Sequence, residues 1–523
     1  MAQLAQHQKP RYDPVTWDAA NPDATVSLQT QEKNEVHAWC PLIHCRANFP
    51  IELFELAIRE LVHHPEYNST LILRSETISE SGEDIPLAVP RLKGYKPLWT
   101  VHRKLLPRRP GRDAGLEQYC TMYASDSEEG GQDMPTVLVL TPILEPGSSL
   151  PYYHPAVSHL AFRYIQGDPP HLQIEAIPLP DIPTDVSSRL YRTSLALLET
   201  LHRYGYGAVI NYKKRVIHDR LVPREIYQDV YLMMRERHGH LVNDWHESTD
   251  PLKHVFEDVG IATYLMLLWK EMYTSTSQTS KNRVPSSQSE TNPPWQSWPR
   301  PPGGFVDLGC GNGLLTHILI AEGYEGQGID VRARTSWAHY PEITQAHLTV
   351  EALNPTTLLH SPTRHRSLKP GAFLIGNHAD ELTPWVPVLS TICDSSGYLS
   401  IPCCAWTFDS RFERSKNSTF PVPIPLDEFT ESLYLGGDGC NTSAYSQYRI
   451  WLASLSLHCG WKVESETLRI PSTRNWALIG RVHAWGSPEE EQNARDNVAE
   501  IIRNVQDRGI FKTRRPEGKA GDH

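Results

Sequence analysis

From residue 305 onward, short apolar runs alternate with stretches of helical spacing. Phe305-Val306-Asp307-Leu308 runs into a turn with glycine at 309, 311 and 313, and Leu314 to Ile320 continues as a helix. Gly326 to Asp330, Phe373 to Gly376 and Leu399 to Cys404 read as further strands. Strands separated by helical segments predict a parallel α/β sheet, here the central half of a doubly wound one. Cys403 and Cys404 read as small residues of a buried strand, since a bridge between adjacent cysteines is strained. Upstream, Phe256, Val259, Leu265, Leu268, Trp269 and Met272 recur at three- and four-residue spacing. That period predicts a helix with one buried face, N-capped by Asp250 with Pro251 at its first position. Ser487-Pro488-Glu489-Glu490 has the form of a capping box and opens a polar helix reaching about Val505.

Between these elements, Thr274 to Pro302 is dominated by Ser, Thr and Pro and cannot bury enough apolar surface to order itself. The organisation expected is therefore fivefold. Residues 1–35 form a disordered terminus and 36–273 an N-terminal region of mixed α/β pattern. Residues 274–302 are a linker or insertion, 303–485 the α/β sheet, and 486–523 a C-terminal helix with a basic tail.

The 523 residues, 39% hydrophobic and 21% charged, allow more than one core and exclude a wholly disordered chain. No stretch approaches the roughly 20 apolar residues that span a bilayer. The polar start, Met1 to Thr16, carries no secretory signal pattern. Nine scattered cysteines form no disulfide framework, and together these features point to the cytoplasm. His37, Cys40, His44 and Cys45 lack a second spaced ligand pair, so no metal is expected. The formal net charge of −11 argues against a polyanionic partner until its distribution is considered. Arg91 to Arg112 holds eight Lys or Arg and no acid, with Tyr95 and Trp99 interleaved. Lys213, Lys214 and Arg215, with Arg220 and Arg224, form a second tract, and Lys512, Arg514, Arg515 and Lys519 a third. Three basic tracts on an acidic chain suit a surface that tracks phosphates.

The glycine turn narrows the chemistry. A dinucleotide fingerprint requires Gly or Ala at 314, where this chain has Leu314, and Asp307 at the strand end would repel a pyrophosphate. S-adenosylmethionine carries an ammonium and a sulfonium, and for that cofactor Asp307 is an asset. Asp330, at the end of the next strand, is placed to bond ribose hydroxyls. Asn377-His378-Ala379-Asp380, at the end of a central strand, sits where chemistry would occur. Asp380 and His378 are candidate bases for removing a hydroxyl proton, with Asn377 orienting the substrate. Asp380-Glu381 can equally cap the helix that follows.

The runs FVDLGCGNGLLTHIL, GYEGQGIDVRARTSW, LIGNHADELTPW and IPCCAW, in this order, resemble the eukaryotic tRNA (uracil-O(2)-)-methyltransferases. So do Tyr212 to Arg215, His240 to Trp245, Thr249 to Pro251 with Glu257-Asp258, and Leu468 to Asn475, and the resemblance spans about Trp39 to Val482. It implies a class I, Rossmann-like methyltransferase sheet ending in an antiparallel hairpin, and methyl transfer from S-adenosylmethionine to the 2′-hydroxyl of uridine 44 in serine tRNA. It also implies cofactor contacts from Asp307, Gly309, Gly311, Gly313 and Asp330. Arg469, Arg474 and the tract Lys213, Lys214 and Arg215 would meet the RNA, and residues 36–273 would help bind it. No catalytic residue follows from the pattern, and the K-D-K-E tetrad of another ribose-methylating group is not found here. A methyltransferase for protein or small molecules, or a tRNA-binding protein without turnover, remain alternatives.

Overall fold

A computed structural model describes residues 10–18, 26–31, 38–126, 133–145, 147–212, 214, 216–277, 293–360, 367–436 and 441–511. They divide into two compact units, 1–213 and 214–523.

In the first unit, period-two patterning builds a single antiparallel sheet. Its strands are β1 (Val15–Thr16), β2 (Cys40–Arg46), β3 (Ile72–Ser81), β4 (Tyr95–Pro107), β5 (Leu116–Ser125), β6 (Pro135–Ile143), β7 (Val157–Ile165) and β8 (His171–Pro178). They lie in the order β1-β2-β8-β7-β6-β5-β4-β3. Met122, Leu138, Leu140 and Phe162 bury one face against helices α1 (Phe54–His63) and α2 (Arg189–Val209). The alternate residues Tyr123, Val137, Val139 and Ala161 bury the other face beneath Leu28, Trp39, Val89 and Leu92. The described parts of the N-terminal stretch are thus held in place, contrary to the expected disorder. Val15 and Thr16 pair with β2, and Leu28 is buried with its amide donating to Glu175 Oε2 at 2.9 Å.

The first basic tract is also less free than its composition suggests. Arg103 is buried and bonds Gln118 Oε1 at 3.1 Å, while Lys96 pairs with Asp133 at 2.6 Å. Lys213, Arg215 and the tail from 512 lie outside the described residues.

The second unit is built on seven strands: β9 (Phe305–Leu308), β10 (Gly326–Asp330), β11 (Leu348–Val350), β12 (Phe373–Asn377), β13 (Gly397–Ile401), β14 (Glu464–Thr467) and β15 (Trp476–Gly480). Their order is β11-β10-β9-β12-β13-β15-β14. The first five are parallel, and β15 runs antiparallel to both β13 and β14. Both faces are apolar, as a sheet covered on two sides requires. Phe305, Phe373, Ile375 and Leu399 pack beneath α3 (Arg224–His238), α4 (Pro251–Ser277) and α5 (Leu314–Ala321). Val306, Leu308, Leu374 and Tyr398 meet α7 (Trp385–Ile392), α9 (Ala444–His458) and α10 (Pro488–Arg508). The short α6 (Glu342–Gln345) precedes β11, and α8 (Leu426–Ser432) precedes α9.

Helix α4 departs from its amphipathic expectation: every residue from 259 to 269 is buried. It begins as read, with Asp250 Oδ1 accepting from Leu252 N at 3.0 Å. It then lies against α3, α5 and the sheet, with Trp269 set 6.1 Å from Phe305 and 5.4 Å from Phe373 between ring centroids. The two units consequently divide at Lys213–Lys214, well before the Ser/Thr/Pro stretch. That stretch is itself ordered at both ends: α4 continues through Ser277, and Trp295 is fully buried. Residues 278–292 lie outside the described residues. Strand β13 ends at Ile401, so Cys403 and Cys404 are half-buried loop residues, because Pro402 has no N–H to extend the ladder. Among the described residues no helix is long and apolar enough to cross a membrane.

One polar cluster fastens α3 and the Trp295 turn to the end of α5. Glu322 accepts from Trp295 Nε1 at 2.7 Å and Arg237 Nε at 2.8 Å, with His238 Nε2 at 2.7 Å. Burial alone would raise the Glu322 pKa, but the bonds from His238, Arg237 and Trp295 hold it down at about 2. An unfolded glutamate titrates near ~4.3, so this stabilisation is complete above that pH and is lost as pH falls towards 2. Glu322→Gln should lower the thermal midpoint at pH 7 by several degrees and flatten its fall between pH 5 and 2. Unchanged melting at pH 7, followed by circular dichroism, would contradict that role.

Candidate active site

The glycine turn begins where β9 ends. Gly309, Gly311 and Gly313 take φ of +73°, +55° and +75°, a left-handed region that a side chain adopts only with strain. Gly309 N and Cys310 N donate to Ile329 O at 2.8 and 3.0 Å, which pins the turn to β10. Gly311 N donates to Asp330 Oδ2 at 2.9 Å, and Arg332 N to Asp330 Oδ1 at 3.2 Å. A side chain at 311 would meet nothing within 4 Å, so the backbone edge there faces open space. Gly313 serves packing instead. A Cβ there would lie 3.0 Å from Leu348, and this glycine borders neither cavity described next.

Two cavities flank the turn and share Gly309, Gly311, Arg334 and His378. The smaller, about 260 Å³, is bordered by Asp330, Leu353 and Asp380. The larger, about 480 Å³, is bordered by Glu257, Asp258, Asp307, Asn377 and Arg474.

Carboxylates converge on the larger cavity. Asp307 is 1% exposed; its Oδ2 accepts from Thr316 Oγ1 at 3.1 Å, and its Oδ1 has no hydrogen-bond partner. Burial, with a further contribution from Asp330 and against the Thr316 bond, pushes its pKa up to about 7. Burial, then the charges of Asp307 and Glu257, raises Asp258 well above the usual carboxylate range. Burial acts upward on Glu257 as well, but hydrogen bonding to His378 holds it below its ordinary value.

The end of β12 meets these acids directly. Asn377 Nδ2 donates to Asp258 Oδ1 at 3.2 Å, and His378 Nε2 lies 3.2 Å from Glu257 Oε1. His378 itself sits at φ +53°, in the left-handed region, with its amide bonded to Ile401 O at 3.1 Å. Asn377 Oδ1 and His378 Nδ1 are left without hydrogen-bond partners.

The remaining expected site residues disperse. Asp380, exposed and at φ +45°, borders only the smaller cavity and accepts from Cys403 Sγ at 3.1 Å. Asp380, Cys403 and Cys404 bring one oxygen and two sulfurs within 4.8 Å of one another, one donor short of a structural zinc site. Arg474 stands at the larger cavity with its guanidinium 3.8 Å over the Tyr445 ring. Arg469 is committed elsewhere, paired with Asp219 at 2.5 Å beside a separate crevice. Lys214 is exposed at the start of the second unit, and its neighbours Lys213 and Arg215 lie outside the described residues.

Two participants were not singled out from the residues: Glu257 and Asp258. Their signal is a pair of acids opening an otherwise apolar helix, where burial makes a carboxylate costly unless it is used. Glu247 is a third such residue. It accepts from Ser336 N at 3.1 Å and Ser336 Oγ at 2.8 Å, fixing the loop that follows β10 beside the cavity.

This site fits S-adenosylmethionine. The unpartnered Asp307 oxygen and the neighbouring Asp258 complement a cationic amino-acid end, and Asp330 stands at the next strand end for a ribose. The comparisons agree. Residues 15–215 match the family described as "TRM44-like, N-terminal bet v1-like domain", and residues 221–287 and 295–355 match "Predicted AdoMet-dependent methyltransferase". A tRNA (uracil-O(2)-)-methyltransferase of Schizosaccharomyces pombe is 34% identical, covering 90% of this chain and 90% of its own. Those of Neurospora crassa and Saccharomyces cerevisiae are 32% and 29% identical, covering 85% and 83% of this chain and 86% and 85% of their own. With S-adenosylmethionine as its methyl donor, the chain belongs to the tRNA (uracil-O(2)-)-methyltransferase family.

Proposed function

We propose that this enzyme methylates the 2′-hydroxyl of a uridine in tRNA, at uridine 44 of serine tRNA, in the cytoplasm. The observation that carries the chemistry is the cavity at the glycine turn, where Asp307, Asp258, Asn377 and His378 border one space. The strand order, with its switch between β9 and β12 and its antiparallel edge hairpin, supports a class I, Rossmann-like sheet. The names of the relatives support uridine in tRNA, and the likeness of the long runs to that family supports the target position. Residues 36–213 are assigned to tRNA binding, 214–485 to the catalytic body and 486–523 to a C-terminal helix and tail.

Bound S-adenosylmethionine supplies a methyl group already activated on a sulfonium. The chain must then align the ribose and take away one proton. Asp307 and Asp258, with the Gly309 and Gly311 backbone, would hold the cationic amino-acid end of the cofactor, and Asp330 would hold its ribose. His378 Nδ1, a free acceptor, receives the proton of the attacking hydroxyl, and Asn377 orients that hydroxyl. Of the two candidate bases, His378 is favoured because it borders both cavities, whereas Asp380 borders only the smaller and is faced by a thiol. Arg474 and Lys253, at the larger cavity, are positioned for the phosphates beside the target nucleotide.

Incubation with labelled S-adenosylmethionine and unmodified serine tRNA should place label on the ribose of uridine 44. Label on a base, or on protein alone, would refute the reading. Cofactor affinity by calorimetry should rise as pH passes through about 7, because ionised Asp307 complements the cation and its protonated form does not. Asp307→Asn should remove this dependence and weaken binding by about tenfold or more, the scale of one lost charge-assisted contact. A wild-type affinity flat from pH 6 to 8 would contradict it.

A further inference from the structure

Helix α4 supplies two consecutive carboxylates to two consecutive side chains at the end of β12. Glu257 Oε1 meets His378 Nε2, and Asp258 Oδ1 meets Asn377 Nδ2, both at 3.2 Å. The two bonds run side by side between an element upstream of the glycine motif and the strand end that follows it. They leave the other polar atom of each side chain, His378 Nδ1 and Asn377 Oδ1, buried and without a hydrogen-bond partner.

We propose that Glu257 is a positioning residue for His378, fixing which nitrogen carries a proton and which receives one. This rests on the reading of His378 as the base. An imidazole offers one donor and one acceptor when neutral, and the partner of one nitrogen decides the state of the other. A carboxylate at Nε2 requires a proton there, so Nδ1 is the acceptor. The same carboxylate stabilises the imidazolium formed when Nδ1 takes up the hydroxyl proton. The proton passes from the ribose oxygen to Nδ1, the new bond joins that oxygen to the methyl carbon, and the electron pair of the broken carbon–sulfur bond stays on sulfur.

The ring needs such a holder because its backbone is costly. His378 sits at φ +53°, in the left-handed region that a residue with a Cβ adopts only with strain. Asp258 plays the matching part for Asn377, whose amide nitrogen donates to it, which turns the carbonyl Oδ1 the other way. Other charged and titratable groups border the same two cavities as His378. Asp258 lies on α4, Asp307 on β9, Asp380 and Cys403 follow β12 and β13, and Arg474 precedes β15. Among the described residues Glu257 is the one hydrogen-bonded to the ring, and Ser472 and Lys253 act on Glu257 in turn.

The test uses the full-length enzyme, S-adenosylmethionine and unmodified tRNA. Glu257→Gln should lower kcat about tenfold or more, since the carboxylate that orients the ring and stabilises its imidazolium is gone. Glu257→Asp should restore kcat in part. The dissociation constant for S-adenosylmethionine should change less than threefold in both. If His378→Asn keeps the wild-type kcat, the base reading fails. If His378→Asn loses turnover while Glu257→Gln keeps the wild-type rate, the base reading stands and the positioning role fails. Cofactor affinity lost in parallel with kcat in Glu257→Gln would assign the residue to binding instead, which also overturns the proposal.

Discussion

Burial of α4 against the parallel sheet is the constraint on which the site depends. Trp269 lies among Phe305 of β9, Phe373 of β12 and Tyr324 after α5, the elements that flank the glycine turn and carry the site. Removing such a ring from a core costs about 3–5 kcal/mol, comparable with much of a domain's net stability. The first turns of the same helix carry Glu257 and Asp258. The packing that fixes Trp269 therefore also fixes how far those carboxylates stand from Asn377 and His378. An apolar contact sets the geometry of a polar one about three helical turns away.

The charge arrangement follows from this. Several carboxylates around one cavity repel each other and are costly to bury, so the protonated form of some of them is favoured. Asp307 and Asp258 both shift upward for that reason, and a cationic ligand would relieve the strain. Glu257 escapes the upward shift through its histidine partner. Adjacent acids on one helix are thus shifted in opposite directions and suit different tasks. Arginine and lysine stand among the same cavity residues, so one space offers acids for a cation and bases for phosphates. A net charge of −11 averages over both.

Much of this was legible before any coordinates. The strand-turn-helix at Phe305 to Ile320, Asp330 at the next strand end and the Asn377-His378 run follow from local pattern, and the structure gathers them around one turn. Three features were not legible, each for a physical reason. Helix α4 was read with one buried face because its apolar positions recur at helical spacing, but it is enclosed from 259 to 269, where Gly260, Thr263 and Tyr264 are buried too. Its membership in the second unit depends on long-range contact with strands over 30 residues away, which local period does not encode. Arg469 looked like a phosphate contact until Asp219, 250 positions away, took its charge. Gly313 belongs to the motif by spacing, yet serves close packing against Leu348.

The central claim is that the acids of α4 and the end of β12 act as one unit in turnover. A double-mutant cycle on single-turnover rate, with Glu257→Gln and His378→Asn separately and together, tests it most directly. If the pair acts as a unit, the double variant should be no slower than His378→Asn alone, within about twofold. Fully multiplicative losses, with Glu257→Gln costing as much in the absence of His378 as in its presence, would contradict the account.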